Sequence, residues 1–356
     1  MAQKQIYRIA TIPGDGIGCE VIPAGQRAVE VVAKRHGFGV RWDEFDWSCE
    51  RYAETGRMMP KDGVAQVRSH DAIYLGAVGF PGVPDHVSLW GLLIPLRREL
   101  DQYANVRPVK LLKGIESPLK GRGEADIDFV VVRENVEGEY SEVGGRIYAG
   151  TERETVMQEA VFTRRGVDRI MEYAFSLADA RPRRHVTSAT KSNGIVHTMP
   201  FWDERFRAAG ARYPGVETAQ YHIDILTAHF VLHPDWFDVV VASNLFGDIL
   251  SDLGPAVAGS IGIAPAANLN PDRSFPSMFE PVHGSAPDIA GRGVANPIAA
   301  IWSAAMMLEH LGQSEAAREL EAAIEVSLAS EHTRTRDLGG SADMEEALGA
   351  MLEALG

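Results

Sequence analysis

Short uninterrupted apolar runs, each about the length of one buried strand, recur along the chain and restrict the folds open to it. Residues 72–76, 129–132 and 239–242 are such runs, and residues 7–12 predict a further short strand that leads into a glycine-rich turn at 13–18. The segment after this turn, 19–33, has the apolar spacing of a helix. Strands that are apolar on both faces and alternate with helices are typical of a mostly parallel sheet covered by helices. We therefore predict an α/β fold.

Two further segments have a distinct pattern. Between about 137 and 159, glycines separate short polar and β-branched runs, which predicts a β-hairpin arm. From residue 298 onward the chain is rich in Ala, Leu, Met and Glu, which predicts helices. An apolar fraction of 45% in 356 residues is ample for a large core.

Charge and cysteine content exclude several classes of protein. A formal net charge of −14 argues against a nucleic-acid partner, because phosphate binding needs a basic face. Cys19 and Cys49 are too few for a disulfide framework and match no zinc spacing, so we interpret both as reduced thiols. No run approaches the roughly 20 apolar residues of a membrane span, and none before Pro13 looks like a signal peptide. We expect a cytoplasmic protein without a membrane partner.

Residues 213–272 contain no Lys or Arg, yet they include Asp224, Asp248 and Asp252. On a helix, Asp248 and Asp252 are four positions apart and share one face, with Cβ atoms roughly 6 Å apart. One divalent cation could bind both, and hard oxygen ligands favour Mg²⁺ or Mn²⁺. The alternative is that these aspartates only complement the dipole at the start of a helix.

Arginines form a second set of candidates, at positions 97, 98, 107 and 133. Arg133 directly follows an apolar run, which places it at the carboxyl end of a strand, where open α/β sheets bind ligands. Arginine binds carboxylates with two parallel hydrogen bonds, although each of these residues could instead form an ordinary surface ion pair. Together with an acidic metal site, the arginines suggest a substrate with more than one carboxylate.

Tyr140 and Lys191 are candidates for proton transfer, since a suitable environment can shift either group toward neutral pH. A packed tyrosine and an exposed lysine are the alternatives.

Residues 283–291 form a loop of small residues that would let a nucleotide approach the backbone closely, or that is purely structural. No G-x-G-x-x-G motif is present, so the sequence does not predict a Rossmann fold.

Taken together, these motifs resemble one family, the β-decarboxylating dehydrogenases, which includes isocitrate, isopropylmalate, homoisocitrate, D-malate and tartrate dehydrogenases. The matching segments cover nearly the whole chain and are residues 13–18, 105–108, 244–252, 281–288 and 296–297. The resemblance implies an isopropylmalate dehydrogenase-like open sheet in two domains. By this resemblance a discontinuous cofactor-binding domain comprises 1–102 plus 257–356, and a smaller domain comprises 103–256. The arm at about 137–159 would lie at the interface of a homodimer with shared active sites.

The resemblance also implies roles for individual residues. Arg97, Arg107 and Arg133 would bind substrate carboxylate, Asp248 and Asp252 would hold Mn²⁺ or Mg²⁺ with Asp224 of the partner subunit, and Tyr140 and the partner's Lys191 would transfer protons. NAD would bind at His283, Gly284, Ser285, Ala286, Asp288 and Asn296. Asp288 would face the adenosine 2′-hydroxyl and repel the 2′-phosphate of NADP. A requirement for a monovalent cation such as K⁺ is left open.

Substrate choice within the family depends on the segment 89–93. Leu89 replaces the Glu usual in isopropylmalate enzymes, and Gly91 and Leu93 replace the Ser and Asn of isocitrate enzymes. Together with Trp90, this pattern resembles the D-malate and tartrate branch. We expect oxidation and decarboxylation of D-malate to pyruvate and CO₂, with tartrate oxidation. The alternatives are an isopropylmalate dehydrogenase, which Leu92 and Leu93 would suit, and a catalytically silent regulatory subunit.

Overall fold

A single ten-stranded sheet runs through the protein, whose computed structural model describes residues 5–356. A separate hairpin of two strands stands apart from it. In chain order the strands are β1 (Ile6–Gly14), β2 (Gly39–Glu44), β3 (Ala72–Ala77), β4 (Ala104–Lys110), β5 (Asp128–Glu134), β6 (Gly144–Ile147), β7 (Thr155–Gln158), β8 (His185–Thr190), β9 (Glu217–His222), β10 (Val239–Ala242), β11 (Pro265–Leu269) and β12 (Ser277–Pro281).

The sheet order is β2-β1-β3-β12-β11-β4-β5-β10-β8-β9. The strands on either side are parallel, but β11 runs antiparallel to both β12 and β4, and β4 runs antiparallel to β5. The predicted α/β class and the strands expected at 7–12, 72–76, 129–132 and 239–242 are confirmed. The antiparallel centre was not expected, because strand direction depends on which strands become neighbours in space.

Helices cover both faces of the sheet. They are α1 (Gly18–His36), α2 (Cys49–Thr55), α3 (Gly63–Val67), α4 (Asp85–Ser88), α5 (Ile94–Glu99), α6 (Arg164–Ala180), α7 (Thr198–Gly210), α8 (Ile223–Leu232), α9 (Asn244–Val257), α10 (Ile298–His310), α11 (Ser314–Ser327) and α12 (Met344–Leu355). A π-helical turn, Leu89–Leu93, joins α4 to α5. The helices predicted at 19–33 and after 298 are confirmed. No helix in the described part of the chain is both long and apolar enough to cross a bilayer.

The two predicted domains share one continuous sheet. β11 pairs with β4 through residues 267–269 and 104–106, so the two predicted domains would meet along this pair of strands. Helices α1, α10, α11 and α12 pack together beside one half of the sheet, whereas α6 and α9 pack on strands of the other half. The division itself remains a prediction.

The predicted arm contains the hairpin of β6 and β7, which pair antiparallel from Gly144 with Gln158 to Ile147 with Thr155. Every residue of both strands is exposed, including Ile147, Val156 and Met157. Apolar side chains on an isolated hairpin have no core of their own to enter. Their exposure is compatible with the predicted place of the arm at a dimer interface.

Candidate active site

Charged side chains gather where β5 and β10 end. These strands are parallel neighbours, and Ala242 of β10 lies opposite Arg133 of β5. Helix α9 starts two residues after Ala242, and it carries Asp248 and Asp252. β4 runs antiparallel to β5 and brings Arg107 to the same cleft. The sheet therefore places these two arginines and two aspartates together, near the carboxyl ends of β5 and β10, where the sequence had placed Arg133.

Close packing sets the position of Arg133 against α9. Gly247 lies directly over the Arg133 side chain, and a Cβ at this position would come within 2.6 Å of the Arg133 Cβ. The Nε and Nη2 atoms of Arg133 donate to the Asn244 side-chain oxygen, at 3.1 and 2.6 Å. Glycine at 247 is therefore required for the guanidinium to lie along the first turns of the helix.

Asp248 is the centre of the resulting polar network. One carboxylate oxygen forms an ion pair with Arg133 and lies 3.9 Å from Arg107 Nη2. The other accepts a hydrogen bond of 2.6 Å from the Tyr140 hydroxyl. Burial would raise the pKa of Asp248, but Arg133, the Tyr140 hydroxyl and Arg107 outweigh it and lower the pKa. Asp248 is therefore ionised at neutral pH.

Asp252 lies one helical turn further along α9 and is more exposed, with 65% of its side chain accessible. Arg107 Nη1 lies 3.5 Å from its carboxylate and donates to Ser251 Oγ at 2.8 Å, while Arg107 Nε donates to Asn105 at 3.0 Å. Partial burial, together with nearby Asp248, raises the pKa of Asp252. A carboxylate that is exposed and only loosely paired can take a further cation.

A buried ion pair forms another wall of the cleft. Arg97 Nη2 donates to Glu280 Oε1 at 2.9 Å, and Asn268 Nδ2 donates to the same oxygen at 2.7 Å. The Nε of Arg97 is also buried but has no hydrogen-bond partner among the described residues. An unpaired buried donor is costly, so Arg97 retains capacity for one more acceptor.

The carboxylates of the cleft fit part of a divalent-metal site. Asp248 and Asp252 offer hard carboxylate oxygens on one face of α9, which suits Mg²⁺ or Mn²⁺. Within residues 5–356, no three His, Cys, Asp or Glu side chains converge closely enough to hold a metal. Asp224 instead pairs with Lys191, whose Nζ donates to it at 2.7 Å. Of the three predicted ligands, Asp248 and Asp252 therefore lie in this cleft, and Asp224 of the same chain is paired elsewhere.

The loop between β5 and β6, residues 135–143, carries Tyr140 and is called the Tyr140 loop. Hydrogen bonds from buried and neighbouring residues hold it in place. Glu134 is fully buried and accepts from the backbone N–H groups of Val136 and Glu137. Glu139 accepts from Ser243 Oγ at 2.8 Å and from the Leu245 N–H at 3.0 Å, which ties the loop to the start of α9. These contacts hold Tyr140 beside Asp248.

Two effects keep the Tyr140 phenol protonated. Burial and the hydrogen bond to the Asp248 carboxylate raise the pKa of Tyr140 to about 12. A phenol with a raised pKa is a proton donor rather than a base at neutral pH. Its ring also lies beside the Arg133 guanidinium, at 5.4 Å from the ring centre.

The predicted cofactor loop packs against the glycine turn at 13–18. The Ile17 N–H donates to the Ser285 carbonyl at 2.9 Å, and Gly16 has a φ of 55°. A Cβ on Gly16 would come within 2.0 Å of the Ser285 oxygen. Glycine is therefore needed here both for its backbone angle and for this close approach. The Asp15 carboxylate, also in this turn, is buried and accepts from the N–H groups of Cys49 and Gly79.

A largely apolar cavity of about 350 Å³ opens between this loop and the C-terminal part of the chain. Its lining consists of Ile17, Gly262, His283, Ala286, Ile289, Arg292, Val294, Ala295, Asn296, Arg336 and Asp337. The pKa of His283 is lowered by burial, and its Nε2 is buried without a partner among the described residues. Asn296 Nδ2 donates to Asp337 at 3.0 Å. Such a cavity has the size and polarity for a nucleoside base and sugar.

The remaining predicted cofactor residues do not line this cavity. Gly284 and Asp288 are exposed, and neither belongs to the lining of the cavity, although Asp288 is one residue from Ile289, which does. Ser285 is buried, where its carbonyl oxygen holds the glycine turn. Three predicted residues therefore line the cavity, and three flank it.

The predicted specificity segment forms the π-helical turn Leu89–Leu93. The Trp90 ring packs against the Arg98 guanidinium, 5.0 Å from the ring centre. Leu92 is fully buried in the core with Leu96 and Met58. Leu92 therefore has a packing role, which removes part of the sequence argument for an isopropyl pocket.

Several residues that organise the cleft were assigned no role from the sequence. They are Asn105, Glu139, Asn244, Ser251, Asn268, Glu280 and Asp337. Glu280 had a detectable signal, because it is a lone charge within the buried strand β12. The others are common polar residues, and apart from the contact of Asn105 with Arg107 their partners in these contacts are distant in sequence.

Comparison with known proteins places this cleft in context. The family model described as "Isocitrate/isopropylmalate dehydrogenase" matches residues 8–353. The chain is 57% identical to a tartrate dehydrogenase/decarboxylase of Pseudomonas putida, with 98% of both chains covered. It is also 57% identical to a D-malate dehydrogenase [decarboxylating] of Escherichia coli K12, again over 98% of both. A crystal structure of isocitrate dehydrogenase from Methylococcus capsulatus superposes with a TM-score of 0.89 at 34% identity, covering 98% of this chain and 99% of the other.

Proposed function

Because this chain belongs to the isocitrate/isopropylmalate dehydrogenase family, we propose that the cleft oxidises and decarboxylates a small 2-hydroxydiacid. The chain is a decarboxylating dehydrogenase acting on a hydroxyl group. The main substrate is D-malate, converted to pyruvate and CO₂, and tartrate is also oxidised. One observation carries this proposal: Arg133, Asp248 and Tyr140 share one hydrogen-bonded network, so a carboxylate-binding group, a metal ligand and a proton donor lie side by side.

Charge balance in the cleft supports a dianionic substrate bound with a divalent cation. The guanidinium groups of Arg97, Arg107 and Arg133 interact with the carboxylates of Asp248, Asp252 and Glu280. Three positive and three negative groups leave the site near neutrality, and a dicarboxylate entering with Mn²⁺ or Mg²⁺ preserves that balance. The unpartnered Nε of Arg97 would take one substrate carboxylate oxygen.

Asp248 and Asp252 would hold the metal. When bound, the metal would supply Lewis-acid chemistry, which lowers the pKa of the substrate hydroxyl and stabilises the negative charge that develops on the same oxygen when CO₂ leaves. Arg107 and Arg133 would bind the substrate carboxylates and orient the C2 hydrogen toward the nicotinamide. Burial of both arginines lowers their pKa, to about 10 for Arg133, which still leaves both charged at neutral pH.

Tyr140 supplies the last proton. Loss of CO₂ from the oxidised substrate leaves an enolate, and the phenol O–H protonates its terminal carbon. The Tyr140 pKa of about 12 fits a group that arrives protonated. Lys191 would remove the substrate hydroxyl proton, directly or through a water molecule.

The proposed active site is shared between two subunits. Lys191 and Asp224 pair with each other, and their polar contacts do not include Asp248 or Asp252. Asp224 is on α8, whose exposed apolar side chains Ile225, Val231 and Leu232 lack a covering element among the described residues. A second copy packed on this helix would bury them and would carry Lys191 and Asp224 into the opposite cleft. The exposed hairpin of β6 and β7 would extend the same homodimer interface.

Mixed dimers test this sharing. Lys191→Ala and Asp248→Ala variants are inactive as pure proteins under the proposal, because each removes a residue from every site. Hybrids made from the two regain activity, since one of their two sites contains neither lesion. Hybrids no more active than the parents would refute shared sites.

NAD is the proposed cofactor. The cavity between His283 and Asp337 would take the adenosine, with Asn296 on its wall and Asp288 at its edge. A carboxylate at position 288 would repel the 2′-phosphate of NADP. A larger kcat/KM with NADP than with NAD would contradict this assignment.

Parallel kinetics test the substrate. NADH formation with Mn²⁺ is measured on D-malate, L-tartrate, meso-tartrate and 3-isopropylmalate. We expect D-malate and one tartrate to exceed isopropylmalate by tenfold or more in kcat/KM, about 1.4 kcal/mol of transition-state binding. If isopropylmalate is the best substrate, the interpretation of Leu89, Trp90 and Gly91 is wrong, while the metal and NAD proposals stand. Absence of NADH formation on all four would refute the proposed function.

A further inference from the structure

Arg98 connects the specificity segment to the proposed proton donor, although it has no contact of its own with Asp248 or Asp252. Its Nη2 donates to the Tyr140 carbonyl oxygen at 2.5 Å, and its Nη1 donates to Glu142 at 2.9 Å. The central carbon of the guanidinium lies over the Trp90 ring, 5.0 Å from the ring centre. One rigid planar group therefore contacts both segments at once.

The location of Arg98 in the fold makes this bridge specific. Arg98 lies in the last turn of α5, directly after Arg97, which forms the buried pair with Glu280. Tyr140 lies between β5 and β6 and is held at both ends, by Arg98 at its carbonyl and by Asp248 at its hydroxyl. When the phenol transfers its proton, the hydroxyl contact must change. The hydrogen bond from Arg98 to the Tyr140 carbonyl oxygen can stay unchanged during this transfer.

We infer that Arg98 is a positioning residue that holds Tyr140 in place for protonation of the enolate. This inference rests on the proposed function, and it assigns to Arg98 a role that the arginines of the cleft do not have. In the step concerned, the phenol O–H bond breaks, a C–H bond forms on the enolate carbon, and water later returns the proton to the tyrosinate. Hydride transfer to the nicotinamide precedes this step and does not use Tyr140.

The planar Trp90 surface makes arginine, rather than lysine, suitable for this position. A guanidinium can stack on the ring while both of its terminal nitrogens donate in the same plane, whereas an ammonium presents a single charged point. Replacement by Lys keeps the charge but cannot make both hydrogen bonds and the contact with the Trp90 ring together. Arg98→Gln removes the charge and, with it, the cation–π contact with Trp90.

The test compares two isotope effects in the purified enzyme with D-malate, Mn²⁺ and NAD. In Arg98→Gln, we expect kcat to fall about 10- to 100-fold, the range for a catalytic group displaced by about an ångström. The solvent isotope effect on kcat in D₂O should rise, because protonation becomes slower. The effect of deuterium at C2 of the substrate should shrink toward unity. KM for D-malate should change little, and Arg98→Lys should recover part of kcat.

Arg68→Gln is the matched control. Arg68 also lies on an aromatic ring, 4.5 Å from the centre of Phe275, and also donates to a backbone carbonyl, that of Glu99 at 3.4 Å. It has no contact with the Tyr140 loop, so its replacement should leave both isotope effects unchanged. Thermal unfolding of both variants separates loss of folding from loss of positioning.

A second comparison uses the Tyr140→Phe background, in which no phenol remains to be positioned. Adding Arg98→Gln there should change the residual activity less than twofold. An unchanged solvent isotope effect in Arg98→Gln, or an equal loss of kcat with and without Tyr140, would overturn the inference. A wild-type enzyme that makes no NADH from any 2-hydroxydiacid would instead refute the proposed function.

Discussion

Replacing Glu280 with Gln tests whether Arg97 is a buried cation that depends on one carboxylate. The two side chains are only 6% and 9% exposed, and their atoms are 2.9 Å apart. Removing one partner of a buried ion pair costs about 3–5 kcal/mol, because the other charge stays buried without compensation. Gln keeps an oxygen that can accept from Arg97 and from Asn268. We therefore expect a loss near the lower limit, about 3 kcal/mol.

The assay is the free energy of unfolding from urea denaturation for four proteins: wild type, Glu280→Gln, Arg97→Met and the double variant Arg97→Met/Glu280→Leu. The double variant should be more stable than Glu280→Gln, since apolar side chains of similar volume replace a buried pair at little cost. Glu345→Gln is the matched surface control, because its pair with Arg27 is about half exposed. Its effect should stay below about 1 kcal/mol.

The melting temperature with bound substrate gives a second measurement of the same pair. A carboxylate of D-malate would supply the negative charge that Glu280→Gln removes, so saturating substrate should raise the melting temperature of this variant more than that of the wild type. A loss below about 1 kcal/mol in Glu280→Gln, or a double variant that is less stable than Glu280→Gln, would show that Arg97 is compensated by other groups.

Three further predictions follow from single residues. Gly16→Ala should raise KM for NAD through its clash with Ser285, whereas Gly37→Ala, at a φ of 77° in open space, should show only the left-handed backbone penalty of about 1–2 kcal/mol. Burial raises the pKa of Glu134 to about 7, so the wild type should lose stability as pH rises from about 4.5 to 7, and Glu134→Gln should lack this slope. Burial also raises the pKa of Asp252, so Asp252→Asn should melt at a higher temperature than wild type without metal at pH 7.5, yet lose the increase that Mn²⁺ produces. A Gly37→Ala variant with the same rise in KM for NAD as Gly16→Ala would contradict the first prediction. A pH slope of stability that persists in Glu134→Gln would contradict the second. An undiminished Mn²⁺ effect on the melting temperature of Asp252→Asn would contradict the third.

Local sequence predicted the elements of this fold well where a single segment determines them. The run 239–242 is buried on both faces and forms β10 with the same bounds. The i, i+4 spacing of Asp248 and Asp252 requires only that α9 be a helix, which it is. Apolar character alone does not decide burial on α9, because Leu250 is fully buried but Ile249 is 46% exposed.

Contacts between segments that are distant in sequence decided which side chains pair with each other in the cleft. The sequence does not show that Glu280 pairs with Arg97, that Glu139 caps α9, or that Arg98 spans Trp90 and Tyr140. Side chains of ordinary composition form each of these contacts, and the pairing exists only once the sheet order brings the segments together. Helices and strands follow from the periodicity of neighbouring residues, so the sequence alone determined them together with the pair of aspartates on α9. The tertiary structure decided which charge faces which, because a buried charge is stable only beside the particular partner that the packed sheet supplies.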